Sequence, residues 1–399
     1  MLTKRATTIG FLLAFGAILF AITSLVTREF RAEQDLLGRQ WFERGNAALS
    51  ASQAAVAATD FRNALIYSRD NAQYRFQLAK ALVDSGRTEE AATYFTGLWE
   101  SDPGNAIVNL ELARLATRRQ DISEALRFYH AAIYGLWPNE PERQRSAAWL
   151  ELIEFLLHRG ATMQANAELL ALAAEVPSDV SVRVRIADLF VKVGDESRAL
   201  TEYQDTLKLD PKDSRATAGA GRAAFQLAEY DIARRYLHKA VAQSPTDASI
   251  ANLADIADAI FELDPYRPQL TQQQRRSRTI RAFKQVGERL QQCAAAAVRA
   301  LGQPVVNARK APGSGGTGIS ASQTSSGSGS TTDLQTGYTQ WKQLKLKVNE
   351  RSLRRNPNLM DRAMDLVFQV ERQQPSEGCG PSASGDVALA LIARQHEAN

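Results

Sequence analysis

One spacing constrains this chain more than any other feature. Ala57, Ala91 and Ala125 stand 34 residues apart, and Ala165, Ala199 and Ala233 repeat that interval after one step lengthened to 40. Four residues after each alanine comes an aromatic residue or leucine: Phe61, Phe95, Tyr129, Leu169, Tyr203 and Leu237. Three residues further on stand Ala64, Leu98, Ala132, Leu172 and Ala240, with Leu207 one step late. Pro103, Pro177, Pro211 and Pro245 close most of the units, and Pro138 is displaced by one. A small alanine lets two helices approach closely, the aromatic residue fills the gap to the next unit, and proline ends the second helix. Such units bury their apolar faces against their neighbours, so the chain builds by stacking.

The pattern Gly-x-x-x-x-Ala-x-x-x-aromatic is clearest from Gly86 to Phe95 and returns from Gly194 to Tyr203. Period and offsets together resemble the tetratricopeptide repeat, a helix–turn–helix unit. Six units in phase over 33–247, roughly half of the chain, carry the resemblance. The chain departs from the family pattern at single positions. Only the first and fourth units begin with tryptophan, Trp41 and Trp149, and the early glycine persists only as Gly45 and Gly221. The resemblance implies an all-α fold, a right-handed solenoid of helical hairpins. The segment Trp137-Pro-Asn-Glu-Pro-Glu, where the interval lengthens, reads as a loop on one edge of the array.

A length of 399 residues suits two or three domains, or one long solenoid with additions. The net charge of +4 supplies no field that argues for nucleic acid. Two cysteines exclude a disulfide-dense scaffold and a cysteine-rich zinc module.

Residues 1–8 are mostly polar, with Lys4 and Arg5, and 9–26 carry no charge. As a helix that run reaches about 27 Å, close to the hydrocarbon thickness of about 30 Å. A transmembrane anchor is the expectation over a cleaved signal segment, because no small-x-small cleavage site follows, and over a buried core helix. Lys4 and Arg5 favour a cytoplasmic N-terminus, while Arg28 and Arg31 oppose them. The expected localisation is a single-pass membrane protein with its soluble part periplasmic or otherwise extracytoplasmic. The opposite orientation would leave a docking receptor in the cytoplasm.

After the repeats, 248–302 reads as two capping helices that cover the last apolar face. Residues 303–333, rich in Gly, Ser and Thr, read as a flexible linker. Residues 334–399 read as a helical tail, with Trp341, Leu344, Leu359, Met364 and Val367 among its apolar positions.

No catalytic constellation is expected. The pattern Gly313-x-Gly315-x-x-Gly318 lies in the linker without a preceding strand, and there is no Gly-Lys-Ser/Thr phosphate loop and no Gly-x-Ser-x-Gly elbow. His130, His158, His238 and His396 lack a second histidine at ligand spacing, so neither metal nor cofactor is expected. Glu151 and Glu154 read as solvated helix charges. Two basic stretches, Arg275 to Lys284 and Lys342 to Arg355, read as solvated helix faces whose acceptor, if any, is a lipid surface or an acidic partner. If the soluble part is extracytoplasmic, Cys293 and Cys379 are expected to form a bridge rather than remain thiols.

The resemblance also implies a concave binding face, to which the first helix of each unit turns its ninth position. Those positions are Asn46, Lys80, Arg114, Glu154, Asp188 and Arg222. Asn46, Lys80 and Arg114 are similar to the set with which some family members hold a peptide's terminal carboxylate, and the remaining three are not. The implied function is a scaffold for a protein or peptide in a bacterial cell-envelope assembly, with no enzymatic role. The alternatives are the cytoplasmic docking receptor and a regulatory module of an enzyme complex.

Overall fold

The computed structural model describes residues 2–175, 179–302, 328–372 and 383–397, with side chains throughout these except 2–14, 17–18, 26 and 294–335. Among the described residues every regular element is an α-helix, and one isolated bridge pairs Asn105 with Leu136. The helices form two compact units, Met1–Pro177 and Ser178–Asn399.

The first unit contains α1 (Leu2–Ser50), α2 (Ala54–Tyr67), α3 (Ala72–Asp84), α4 (Thr88–Ser101), α5 (Ala106–Arg118), α6 (Ile122–Ile133), α7 (Pro141–His158) and α8 (Thr162–Glu175). Each packs on the next in chain order. Ala57, Ala91, Ala125 and Ala165 are fully buried, and so are Phe61, Phe95 and Leu169. Each such large side chain contributes about 1.5–3 kcal/mol by leaving water. Gly45 shows why the early glycine persists: a Cβ there would fall 2.6–2.9 Å from the Phe61 ring. In the lengthened third interval the chain folds back on the preceding unit. Leu136 N donates to Gly104 O at 2.9 Å and Ala106 N donates to Leu136 O at 3.3 Å.

The turns inside the hairpins share a backbone requirement that the residue pattern shows only in part. Ser52, Gly86, Gln120 and Gly160 in the first unit, and Gly194 and Ala228 in the second, all have positive φ, between 57° and 82°. Glycine takes that conformation freely, whereas an L-residue with a Cβ is strained by about 1–2 kcal/mol. Gln120→Gly, at an exposed turn, is therefore expected to stabilise the first unit by about 0.5–1 kcal/mol once glycine's larger unfolded-state freedom is subtracted. A urea midpoint that does not rise would show that the turn is not strained.

The anchor expected over 9–26 is corrected by the structure. These residues belong to α1, which runs on unbroken through Arg28, Glu29, Arg31, Glu33 and Asp35 into the first repeat. Among the described residues no helix is long and apolar enough to cross a membrane. The physical reason is the charge on the same helix. A membrane-length window through its described side chains takes in Arg28, Glu29 and Arg31. The side chains of 1–8, and of much of the uncharged run, lie outside the described residues. The single-pass localisation falls with the anchor, and the envelope and docking-receptor settings lose that support.

The second unit contains α9 (Val180–Val193), α10 (Glu196–Leu209), α11 (Ser214–Gln226), α12 (Tyr230–Gln243) and α13 (Ala248–Leu263). Aspartates start the first helix of each hairpin: Asp179, Asp213 and Asp247 accept from backbone N–H groups of the first turn. There follow α14 (Gln272–Gly302), α15 (Ser328–Lys345), α16 (Glu350–Arg355), α17 (Asn358–Arg372) and α18 (Ser384–Glu397). α15 begins inside the stretch whose composition reads as linker, and 303–327 lie outside the described residues.

Beyond α12, which precedes it, α13 packs on α18 far more than on α14, the helix that follows it in sequence. Ile256, Ile260 and Leu263 of α13 share one core with Ala388, Leu389, Ile392 and Ala393 of α18. The same core takes in Phe283, Val286 and Leu290 of α14, Trp341 of α15 and Leu359, Met364 and Val367 of α17. A helix from the far end of the chain thus serves α13 as its hairpin partner.

Candidate functional site

The six ninth-position residues fall on the first helices of the hairpins. Asn46, Lys80, Arg114 and Glu154 belong to α1, α3, α5 and α7 of the first unit, and all four are half-buried. Asp188 on α9 is half-buried and Arg222 on α11 is exposed, both in the second unit.

In the first unit the two cations have different surroundings. Arg114 donates from Nε and Nη2 to the two oxygens of Glu151, each at 2.9 Å, and from Nη1 to Glu111 Oε1 at 2.8 Å. The hydrogen bonds to Glu151 come first among the causes that hold the Arg114 guanidinium above its ordinary pKa. The Tyr129 hydroxyl donates to Glu151 Oε1 at 3.1 Å. Burial, and then the charge of Glu151, pushes that phenol up. Arg114 thus joins α5 to α7 through a planar fork that matches the carboxylate. One guanidinium between two carboxylates leaves the position net negative, so an incoming carboxylate has no vacant partner there. Lys80 makes no hydrogen bond or ion pair among the described residues, which leaves its ammonium available.

In the second unit Asp188 accepts from the Tyr203 hydroxyl at 2.6 Å and from Arg215 Nη2 at 2.9 Å. Burial foremost, and then Asp188, raises the Tyr203 phenol. Tyr203 is held in place by Gly219, where a Cβ would fall 2.3–2.7 Å from its ring. The repeat aromatics of both units therefore have a second role beyond filling space: Tyr129 and Tyr203 each carry a hydroxyl that orients an acid of a first helix.

Glu111, Glu151 and Arg215 are partners that sequence reasoning missed. Glu111 lies one helical turn before Arg114, a spacing that could have been read as a local pair. Glu151, expected as a solvated charge, lies 37 residues from Arg114, across the lengthened interval, and no regular period points to it.

The histidines are tied to carboxylates or backbone. His130 Nε2 lies 2.8 Å from Glu168 Oε1, and Glu168 Oε2 accepts from Trp149 Nε1 at 2.7 Å. His238 Nε2 lies 3.0 Å from Asp258, and His158 Nδ1 lies 2.7 Å from Glu154 O. Among the described residues no group of three or more His, Cys, Asp or Glu is placed to hold a metal ion. Cations of the two basic stretches engage partners within the second unit. Arg276 faces Glu350 at 3.4 Å, and Lys342 and Lys345 lie 4.4 Å and 4.8 Å over the Tyr338 and Trp341 rings. Cys293 is buried on α14. Cys379 lies outside the described residues, and with it the bridge expected between the two. The Gly313–Gly318 pattern lies outside them too.

A family model described as tetratricopeptide repeat matches residues 42–105, 76–141 and 184–248. No curated protein sequence matches the chain. Among solved structures, Pseudomonas aeruginosa PilF is 18% identical, with a TM-score of 0.37 over 55% of this chain and 97% of that one. YrrB, described as a tetratricopeptide-repeat protein with an unusual peptide-binding site, is 18% identical, with a TM-score of 0.36 over 48% and 95%. The C-terminal part of a repeat protein from Cytophaga hutchinsonii is 10% identical, with a TM-score of 0.44 over 59% and 94%.

Proposed function

We propose that this chain, whose residues 42–141 and 184–248 are tetratricopeptide repeats, is a scaffold that holds another polypeptide on the first-helix face of its repeats. The observation that carries the reading is Lys80, a half-buried ammonium without a counter-charge among the described residues, at the ninth position between Asn46 and Arg114. An anionic group of the partner, a terminal carboxylate or an acidic side chain, meets Lys80 there. Arg114 shapes the floor instead of serving as a second clamp, because Glu111 and Glu151 already neutralise it. A surface formed by packed helices loses little ordering entropy on binding, which favours recognition without any covalent chemistry.

The test is capture of cross-linked partners by the full chain. Lys80→Glu is expected to lower capture at least tenfold, the effect of losing one charge-assisted hydrogen bond of about 1.5–3 kcal/mol. The double change Lys80→Glu with Arg114→Glu is expected to abolish it. Arg114→Glu alone also places a third carboxylate beside Glu111 and Glu151, so its thermal midpoint must be read alongside. Undiminished capture by folded Lys80→Glu would rule out this face.

A further inference from the structure

The seam between α14, α17 and α18 holds a buried set of charges that the scaffold reading does not use. Glu371 of α17 has a side chain only 2% exposed, and Arg289 of α14 is 11% exposed. Arg289 Nη1 donates to Glu371 Oε2 at 3.0 Å, and Nη2 lies 2.8 Å from Oε1. A second carboxylate, Asp386 of α18, is 4% exposed and accepts from Gln285 Nε2 of α14 at 3.0 Å. Gly385 lets α18 come close here, since a Cβ there would already press on Gln285 at 3.3 Å.

The seam therefore holds two buried carboxylates and one guanidinium, which pairs with Glu371, while Asp386 has only the neutral Gln285 as its side-chain partner among the described residues. With both ionised the seam carries an uncompensated negative charge away from water, and with one protonated it is balanced. Among the described residues, the charged groups that act on Glu371 are Arg289 from α14 and Asp386 from α18; α15 and α16, which also pack on α17, contribute none. We propose that this seam is a proton-operated latch: the C-terminal helices grip α14 most tightly when one of the two buried carboxyls, Glu371, carries a proton, and they loosen when it leaves. Glu371 is the group that keeps the proton. Burial foremost raises its carboxyl from 4.5 to about 7, against the pull of Arg289 and with the push of Asp386.

Below pH 4.5 docked and undocked carboxyls both hold the proton, and the grip is at full strength. As pH rises from 4.5 to about 7 the undocked carboxyl is ionised while the docked one still binds its proton, so docking weakens by about tenfold per pH unit. Above about 7 the loss is complete, on the order of a hundredfold in the docking equilibrium.

The latch is tested on the full chain by urea unfolding, followed through tryptophan fluorescence, at a series of pH values from 4.5 to 8.5. The quantity read is the difference between wild type and Glu371→Gln, in which the titrations of groups away from the seam cancel. The variant is expected to gain on wild type steadily up to about pH 7 and to run parallel above it. Asp386→Asn is expected to move that window to lower pH, because the like charge that raises Glu371 is gone. Carbon-13 glutamate labelling supplies a readout that does not depend on stability. One carboxyl resonance should titrate near neutrality in wild type and vanish in Glu371→Gln. Parallel stability curves throughout, or no glutamate resonance titrating above the ordinary range, overturn the latch.

Discussion

Replacing Gly287 by alanine is expected to unseat the C-terminal helices from α14. A Cβ at this position would fall 1.9–2.3 Å from three atoms of the Trp341 indole, a separation that packed atoms do not adopt. Trp341 is 3% exposed, and its Nε1 donates to Phe283 O at 3.0 Å. The indole is thus fixed to the same helix that carries Gly287, and helix and ring cannot slide apart to relieve the overlap. The ring must leave its site, so the cost approaches that of deleting it, about 3–5 kcal/mol. Trp341→Ala is expected to fall in the same range. The double variant should cost little more than Trp341→Ala alone, because the added methyl then enters the space the ring vacates. Urea unfolding of the three variants gives the coupling directly. A Gly287→Ala protein within about 1 kcal/mol of wild type would show that the indole has another place to go.

Trp149→Ala is expected to be the most damaging single change in the first unit, again about 3–5 kcal/mol. Trp149 is 1% exposed, and Tyr134 meets its ring edge-on at 6.0 Å between centroids. Its Nε1–H donates to Glu168, whose other oxygen lies 2.8 Å from His130 Nε2. Truncation therefore opens a cavity between α6, α7 and α8 and removes a donor from a largely buried carboxylate. Trp149→Phe separates the two effects. It keeps most of the volume and loses the donor, so about 1–2 kcal/mol should remain. If the two variants were equally unstable, the hydrogen bond and not the ring volume would be what holds this part of the unit together.

The repeats were legible in the sequence because their signal is steric. Ala57, Ala91 and Phe95 occupy sites where only one size of side chain fits, and six units in phase make that visible. The shared left-handed turn was only half legible. Gly86, Gly160 and Gly194 announce it, while Ser52, Gln120 and Ala228 adopt the same backbone at a cost that no residue type advertises. The ninth-position residues lie on the first helices as the register implies, yet their electrostatics could not be read from position alone. The charge of Arg114 is answered by Glu151 from the next hairpin and by Glu111 from its own helix. The uncharged run in α1 misled for a related reason. Its own residues suggest a span, but the helix that carries it continues into Arg28, Glu29 and Arg31.

The pairing of α13 with α18 sets an order of events during synthesis. In an ordinary stacked array each hairpin is complete as soon as its second helix leaves the ribosome, and folding can keep pace with elongation. Here the apolar side of Ile256, Ile260 and Leu263 waits while more than a hundred further residues are made. Closing that contact is a long-range step with a large loop to immobilise, and it comes last. The nascent chain therefore carries an adhesive surface for most of the time taken to make its final quarter. A stop codon just before Ser384 would leave that surface open permanently, turning a loss of 16 residues into a chain prone to associate with itself.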